Sequence, residues 1–154
     1  MKIKNVMDNS MREVKFEHIS DAYFLYFNMY LKYRKYEPVQ EELPAYFIMD
    51  NIISSFLTEI GLKALTVYER KLIKNNHKLD CLFNQLSIEM QNLIAKESDI
   101  ELITLKKELS KNAEHFQQWR YYYELNTNSF NIAFFEKLLN TITVLLQVLK
   151  KETN

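Results

Sequence analysis

At 154 residues the chain is long enough for one domain with a sizeable core and too short for two ordinary ones. Its 20 Lys and Arg balance 20 Asp and Glu, which excludes the global basic field that drives nonspecific nucleic-acid binding, so any RNA or DNA contact must be local. With 47% apolar residues, one glycine and two prolines, tight turns are few and helices are favoured, and no glycine-rich phosphate loop is available for ordinary nucleotide hydrolysis. The lone Cys81 rules out an internal disulfide and a cysteine zinc cluster, which fits a reducing compartment and makes the cytoplasm the expected location. The opening "MKIKNVMDNSMREVKF" has no apolar core of signal-peptide length, and no uncharged run is long enough to span a bilayer, so a soluble protein without membrane contact is expected.

In chain order, Ser10 with Glu13 forms a reciprocal capping pair that predicts a helix from near Met11. It continues through "SDAYFLYFNMYLKYRKY", with a break near Ser20, and stops before Pro38. "EPVQEELP" reads as a loop. From Ala45 to about Asn75 a long helix is predicted, with Ile53, Leu57, Ile60, Ala64, Val67 and Leu72 as its buried stripe and Gly61 as a crossing point with a neighbouring helix. At about 100° per residue, Glu59, Lys63, Thr66, Arg70 and Lys74 share a sector opposite that stripe. Glu59, Lys63 and Arg70 are therefore expected on an exposed or interfacial face, where Lys63→Ala changes stability by less than about 1 kcal/mol.

Asn75 and Asn76 favour a turn, with a new helix from near Lys78 carrying Leu79, Leu82, Phe83 and Leu86, which sets His77 at a corner. Ser98 with Glu101 is a second capping pair, opening a helix through Ile103, Leu109, Phe116, Trp119 and Tyr123. "NTNS" reads as a turn, and the last helix, from Phe130 to Lys151, carries Ile132, Phe135, Leu138, Leu139, Ile142, Leu145, Leu146 and Leu149 as a broad apolar face. No repeat or linker interrupts the chain. The expected architecture is a single all-α domain over residues 1–154, an up-and-down helical bundle of four to five helices, with a helical segment at about 11–36 ahead of the main bundle.

Two segments, "FLTEIGLKALTVYERKLIKNNHKLDCLFNQL" and, some thirty residues later, "FQQWRYYYEL", resemble the HEPN family (higher eukaryote and prokaryote nucleotide-binding domains). The matching positions are Glu59, Leu62, Lys63, Ala64 and Leu65, then His77, Leu79, Leu82 and Phe83, then Phe116, Arg120, Tyr121, Tyr123 and Glu124, and the match covers about residues 45–150. The resemblance implies a helical bundle, commonly a homodimer, that acts on or regulates RNA in a bacterial toxin–antitoxin or phage-defence setting, with a cognate partner such as a nucleotidyltransferase. Active members are metal-independent endoribonucleases that use an Arg and a His separated by four to six residues. The pair with that spacing here is Arg70 with His77, whereas the helix after Arg120 carries no histidine.

Two readings of Arg70 and His77 stand side by side. In one, His77 does acid and base work while Arg70 stabilises a phosphorane-like oxyanion. In the other, Arg70 is solvated and His77 packs at a helix start, which the lack of any visible group to orient the imidazole favours. Lys74 extends the same polar sector. In "WRYYYE", Arg120 suits a phosphate and Tyr121 or Tyr122 a stacked base, with Glu124 four residues beyond Arg120 as its ion-pair partner. Phe116, Trp119 and Tyr123 are core by helical spacing. His18 and His115 have no metal-ligand spacing, so neither a metal nor a cofactor is expected. Tyr23, Tyr26, Tyr30, Tyr33 and Tyr36 in the first helix are interface candidates, because the ring packs while the hydroxyl stays wet. Two function classes follow: an RNA-acting protein, active or with lost catalysis, and a noncatalytic helical interaction module of the antitoxin or adaptor kind.

Overall fold

The computed structural model describes residues 12–70, 72–114 and 131–153. It is an all-α bundle with six α-helices among those residues: α1 Phe16–Tyr33, α2 Leu43–Arg70, α3 Leu79–Asn84, α4 Ile88–Ser98, α5 Leu102–Lys111 and α6 Ile132–Thr153. One short antiparallel pair accompanies them, β1 Arg12–Glu13 against β2 Leu72–Ile73, with Arg12 opposite Ile73 and Glu13 opposite Leu72.

The three long helices form the core. Phe16 meets Tyr68, Tyr26 meets Phe56, and Tyr33 stacks on Tyr46, so α1 and α2 run antiparallel. Tyr23 shares a buried 2.7 Å hydrogen bond with Thr143, and Arg34 reaches Glu136 near the start of α6, so α6 is also antiparallel to α1. Helices α2 and α6 therefore run parallel, and the chain between them must return along the bundle. Part of that return is α3, packed on α2, α4, packed on α6, and α5, packed on α3 and α4, with Leu79, Leu82, Phe83, Ile94, Leu105 and Leu109 buried. Helix α6 is long and apolar enough, by length and composition, to cross a membrane; its Phe135, Leu138, Ile142 and Leu146 are buried in this core.

Gly61 sits where the three long helices meet. A Cβ there would lie 2.5 Å from Ile142 Cγ2 and 3.1 Å from Tyr23 Cε2, so the crossing expected at this position exists and depends on the missing side chain. Gly61→Ala gains about 1 kcal/mol of helix propensity and loses about 1–3 kcal/mol to overpacking. The net result is a destabilised protein, and Gly61→Val is worse; urea unfolding of the two variants orders them.

Several boundaries depart from expectation. No helix begins near Met11: Arg12 and Glu13 are strand, paired across the chain to β2, and α1 starts at Phe16 after an extended Lys15. Ser20 causes no break, because its hydroxyl donates back to the Glu17 carbonyl. Helix α2 begins at Leu43, with Pro44 tolerated in its first turn, and ends at Arg70, since Leu72 and Ile73 join β1. Leu72 is thus exposed rather than part of the buried stripe.

The N-cap of α4 is Ser87, whose Oγ accepts the Met90 N–H at 3.1 Å and donates to Glu69. Ser98 ends that helix instead of opening the next one, followed by Asp99 in the left-handed region at φ 53°. Ser10 and the expected core residues Phe116, Trp119 and Tyr123 lie outside the described residues, as does "NTNS".

The first-helix tyrosines mostly turn inward. Tyr23 and Tyr30 are buried, and Tyr33 donates to the Tyr46 carbonyl at 2.8 Å. Tyr30 donates to Asp50 Oδ1 at 2.9 Å, while Arg34 Nη1 holds Asp50 Oδ2 at 2.9 Å and Arg34 Nη2 holds Glu136 at 2.7 Å. Burial, then the adjacent Asp50 charge, pushes the Tyr30 phenol far above its usual value, so it stays a donor throughout the working pH range. This network ties α1 to α2 and α6 at one end of the bundle, beside a cavity of about 230 Å³ walled by Phe27, Leu31 and Leu139.

Candidate functional site

Glu59 lies in the middle of α2, about half a helical turn around from most of the residues that meet α1 (Tyr46, Asp50, Gly61 and Tyr68), with Phe56 between the two sides. That side of α2 is covered: Glu59 is buried, as are Ser55, Leu62 and Thr66 around it, and α3 packs on α2. The expected exposed face is therefore wrong for Glu59. Helix α2 is central and has protein on both sides, so the sector opposite its most apolar stripe does not reach solvent.

A buried carboxylate must be paired, and Glu59 is paired twice through one oxygen. Lys63 Nζ lies 2.7 Å from Glu59 Oε1 and His77 Nδ1 lies 2.8 Å from the same atom. The Glu59 side chain is 5% exposed, Lys63 14% and His77 49%. The Lys63 contact follows from four-residue helical spacing. The His77 contact depends on the fold, because residues 74–78 must double back along α2. Three bonds hold this corner: Asn76 N–H to the Lys74 carbonyl (2.8 Å), Lys78 N–H to Asn76 Oδ1 (2.9 Å) and Leu79 N–H to the Ala113 carbonyl (3.0 Å). An ion pair between Lys78 and Glu114, at 3.2 Å, and the buried Leu79 side chain anchor its far end.

A carboxylate only accepts, so His77 donates through Nδ1–H, and this fixes the tautomer. In the neutral ring the lone pair then lies on Nε2, at the edge opposite the Glu59 contact, and the side chain as a whole is half-exposed. The arrangement is a carboxylate-oriented imidazole with an ammonium beside it: an acceptor for a proton and a cation within the same few ångströms. Glu59 is the orienting group that the sequence reading lacked.

Arg70 is not brought to His77. It is the exposed last residue of α2, three helical turns beyond Glu59, roughly 16 Å along the axis, and no hydrogen bond or ion pair joins it to His77 among the described residues. The catalytic pairing expected from their spacing separates: His77 goes with Glu59 and Lys63, and Arg70 stands apart. Lys74 is exposed but off the helix, in the segment leading from β2 to His77. Arg120, Tyr121, Tyr122 and Glu124 lie outside the described residues, as does His115; His18 is exposed on α1. Among the described residues no three His, Cys, Asp or Glu side chains are grouped as a metal site would require.

Asn51 Oδ1 and Ser55 Oγ, two turns and one turn before Glu59 on the same side of α2, are buried without a hydrogen-bond partner among the described residues. They prolong the polar track that ends at His77. Because Lys63 is nearly buried, Lys63→Ala should cost about 2 kcal/mol, the range of a hydrogen bond to a charged group, and not the smaller loss of a surface residue; chemical denaturation measures it.

No family model, no curated protein and no solved structure matches this chain.

Proposed function

We propose that this chain is a HEPN-like protein that cleaves RNA without a metal, through His77 oriented by Glu59. The observation that carries the reading is the 2.8 Å contact between His77 Nδ1 and the buried Glu59 carboxylate, which in the neutral ring leaves Nε2 as the proton acceptor. In such a reaction His77 Nε2 takes the proton of a ribose 2′-hydroxyl. The 2′-oxygen bonds to the adjacent phosphorus as the bond to the 5′-oxygen breaks; the leaving 5′-oxygen takes a proton from solvent water, His77 returns its own proton to solvent, and the products are a 2′,3′-cyclic phosphate and a 5′-hydroxyl end. The family resemblance, and not the geometry, supplies the bacterial toxin–antitoxin or defence setting and a nucleotidyltransferase as cognate partner.

The test is cleavage of a single-stranded RNA oligonucleotide in excess chelator. Cleavage is expected to leave cyclic-phosphate ends, to fail on a 2′-deoxy substrate, and to disappear in His77→Ala while the circular dichroism spectrum is kept. Equal cleavage by wild type and His77→Ala would rule His77 out.

A second reading, a noncatalytic interaction module, is favoured by the exposed apolar side chains of α1. In it Glu59, Lys63 and His77 only latch the corner to α2. It predicts no cleavage at all and a stability loss as the sole consequence of His77→Ala.

A further inference from the structure

Helices α1 and α6 both pack on α2 more extensively than on each other, and a groove runs between them. The buried Tyr23 to Thr143 hydrogen bond joins the two helices at its floor. Ion pairs cross it from wall to wall at both ends, Arg34 to Glu136 and Asp21 to Lys150, and the α6 members of those pairs stand roughly 21 Å apart along the helix. Two cavities open in it. The cavity of about 230 Å³ lies at the Arg34 end, and one of about 550 Å³ lies at the Lys150 end.

The two walls differ in chemistry. Helix α1 supplies Phe24, Phe27 and Leu31, an apolar row at three- and four-residue spacing. Helix α6 supplies Asn140 to the smaller cavity and Gln147 to the larger, where Asn28 of α1 joins it. All three amide side chains are exposed, and none makes a hydrogen bond among the described residues. The charged groups that line the larger cavity are both ammonium groups, Lys150 and Lys151, and Lys151 has no ion-pair partner among the described residues.

We infer that this groove holds the carboxyl end of an extended peptide from a partner protein, with the terminal carboxylate at Lys151. An amide side chain offers N–H donors and a C=O acceptor side by side, the pattern that a peptide group presents along an extended backbone. A helical partner satisfies its own peptide groups internally, so it gives the three amides no backbone to bind. Side chains alternate along an extended chain, which lets every second one drop toward Phe24, Phe27 and Leu31. About six extended residues span the distance between the two ion pairs. The Asp21 to Lys150 pair closes the groove, so a chain lying along the floor stops there, and its terminal carboxylate meets the free ammonium of Lys151. Nucleic acid suits the groove less well. Glu136 repels phosphate at one end, and at the other the Lys150 ammonium already covers the Phe24 ring, 5.7 Å from its centroid, where a base would stack. Because Glu59 lies on the side of α2 turned away from most of the α1 contacts, the inference is independent of the chemistry proposed for His77.

Titration of the isotope-labelled full chain with the peptide acetyl-Ser-Leu-Ser-Phe-Ser-Leu, carrying a free carboxyl end, tests it in proton–nitrogen correlation spectra. The side-chain amide signals of Asn28, Asn140 and Gln147 are expected to move together, with a dissociation constant on the order of 100 μM, as suits a small interface. The same peptide ending in a carboxamide is expected to bind about threefold to fivefold more weakly, the size of one exposed charge contact. Lys151→Glu should weaken the free acid by at least as much, leave the carboxamide form unaffected and keep the circular dichroism spectrum. Amide signals that stay in place at millimolar peptide overturn the inference. So does equal binding of the acid and carboxamide forms, or saturation of the groove by oligouridylate where the peptide fails.

Discussion

Asp50→Ala should lower the stability of the protein by about 3 kcal/mol, the low end of the range for removing one partner of a buried charged pair. Asp50 is almost fully buried, and both of its oxygens are used, one by the Tyr30 phenol and the other by the Arg34 guanidinium. Alanine leaves the buried Tyr30 hydroxyl without its protein acceptor, although Arg34 is partly exposed and still holds Glu136. That residual partner is why the low end of the range applies. The variant should also loosen the start of α6, because the tie from α2 through Arg34 to Glu136 is cut. Urea unfolding followed by far-ultraviolet circular dichroism gives the loss as a lower midpoint at unchanged slope. Asp50→Asn keeps an acceptor for Tyr30 and should lose clearly less. Equal losses in the two variants would mean that charge, and not the hydrogen bonds, holds this junction.

Glu59→Ala should cost a similar amount, about 3 kcal/mol. It removes the carboxylate that neutralises Lys63 in a nearly closed site and releases His77 from α2. Lys63 must then bury an unpaired ammonium or break out through packed neighbours. The corner at residues 74–78 loses its contact with the helix but keeps the Leu79 to Ala113 anchor, so loosening is expected to be local. Hydrogen exchange should rise at the Lys78 amide and remain slow in the core of α6. A Glu59→Ala protein as stable as wild type would show that the carboxylate is not buried and paired.

The long helices were legible because periodicity reports burial: α2 and α6 were found from their apolar spacing, and Gly61 was read as a crossing from its place on that stripe. What periodicity could not report was how many sides of a helix are covered. Glu59, Thr66 and Lys63 sit opposite the apolar stripe of α2, and for a surface helix that position means solvent. Here α2 is central, and the small uncharged Ser54, Ser55, Thr58 and Thr66 are the sign that its polar side is close-packed. Read that way, Glu59 among them becomes a buried acid in need of partners, and His77 a candidate for one. The β1–β2 pairing was invisible for a different reason. It joins residues about sixty positions apart through backbone groups alone, so neither segment carries a local signal of it. The capping pairs misled where the tertiary structure recruited the residue elsewhere: Glu13 went into a strand, and Ser98 turned back to the Ala95 carbonyl.

The tyrosines of α1 show how amphipathic side chains satisfy two demands at once. Tyr23, Tyr30 and Tyr33 bury their rings and place their hydroxyls on Thr143, Asp50 and the Tyr46 carbonyl. The exposed residues of α1 include Leu25 and Met29, and also Tyr26, the tyrosine of that helix left outward.

All of the proposed chemistry depends on one proton. If Glu59 holds the imidazole as the structure places it, the neutral His77 ring carries its hydrogen on Nδ1 and leaves Nε2 open to substrate. Long-range proton–nitrogen correlation spectra of the histidine side chains, with the His77 signals assigned by their loss in His77→Asn, read the tautomer directly. The account predicts the Nδ1–H form for His77 in the native protein. A neutral His77 in the Nε2–H form, the common tautomer of free histidine, would contradict it, because Nδ1 would then be an acceptor facing a carboxylate and the Glu59 to His77 bond could not exist.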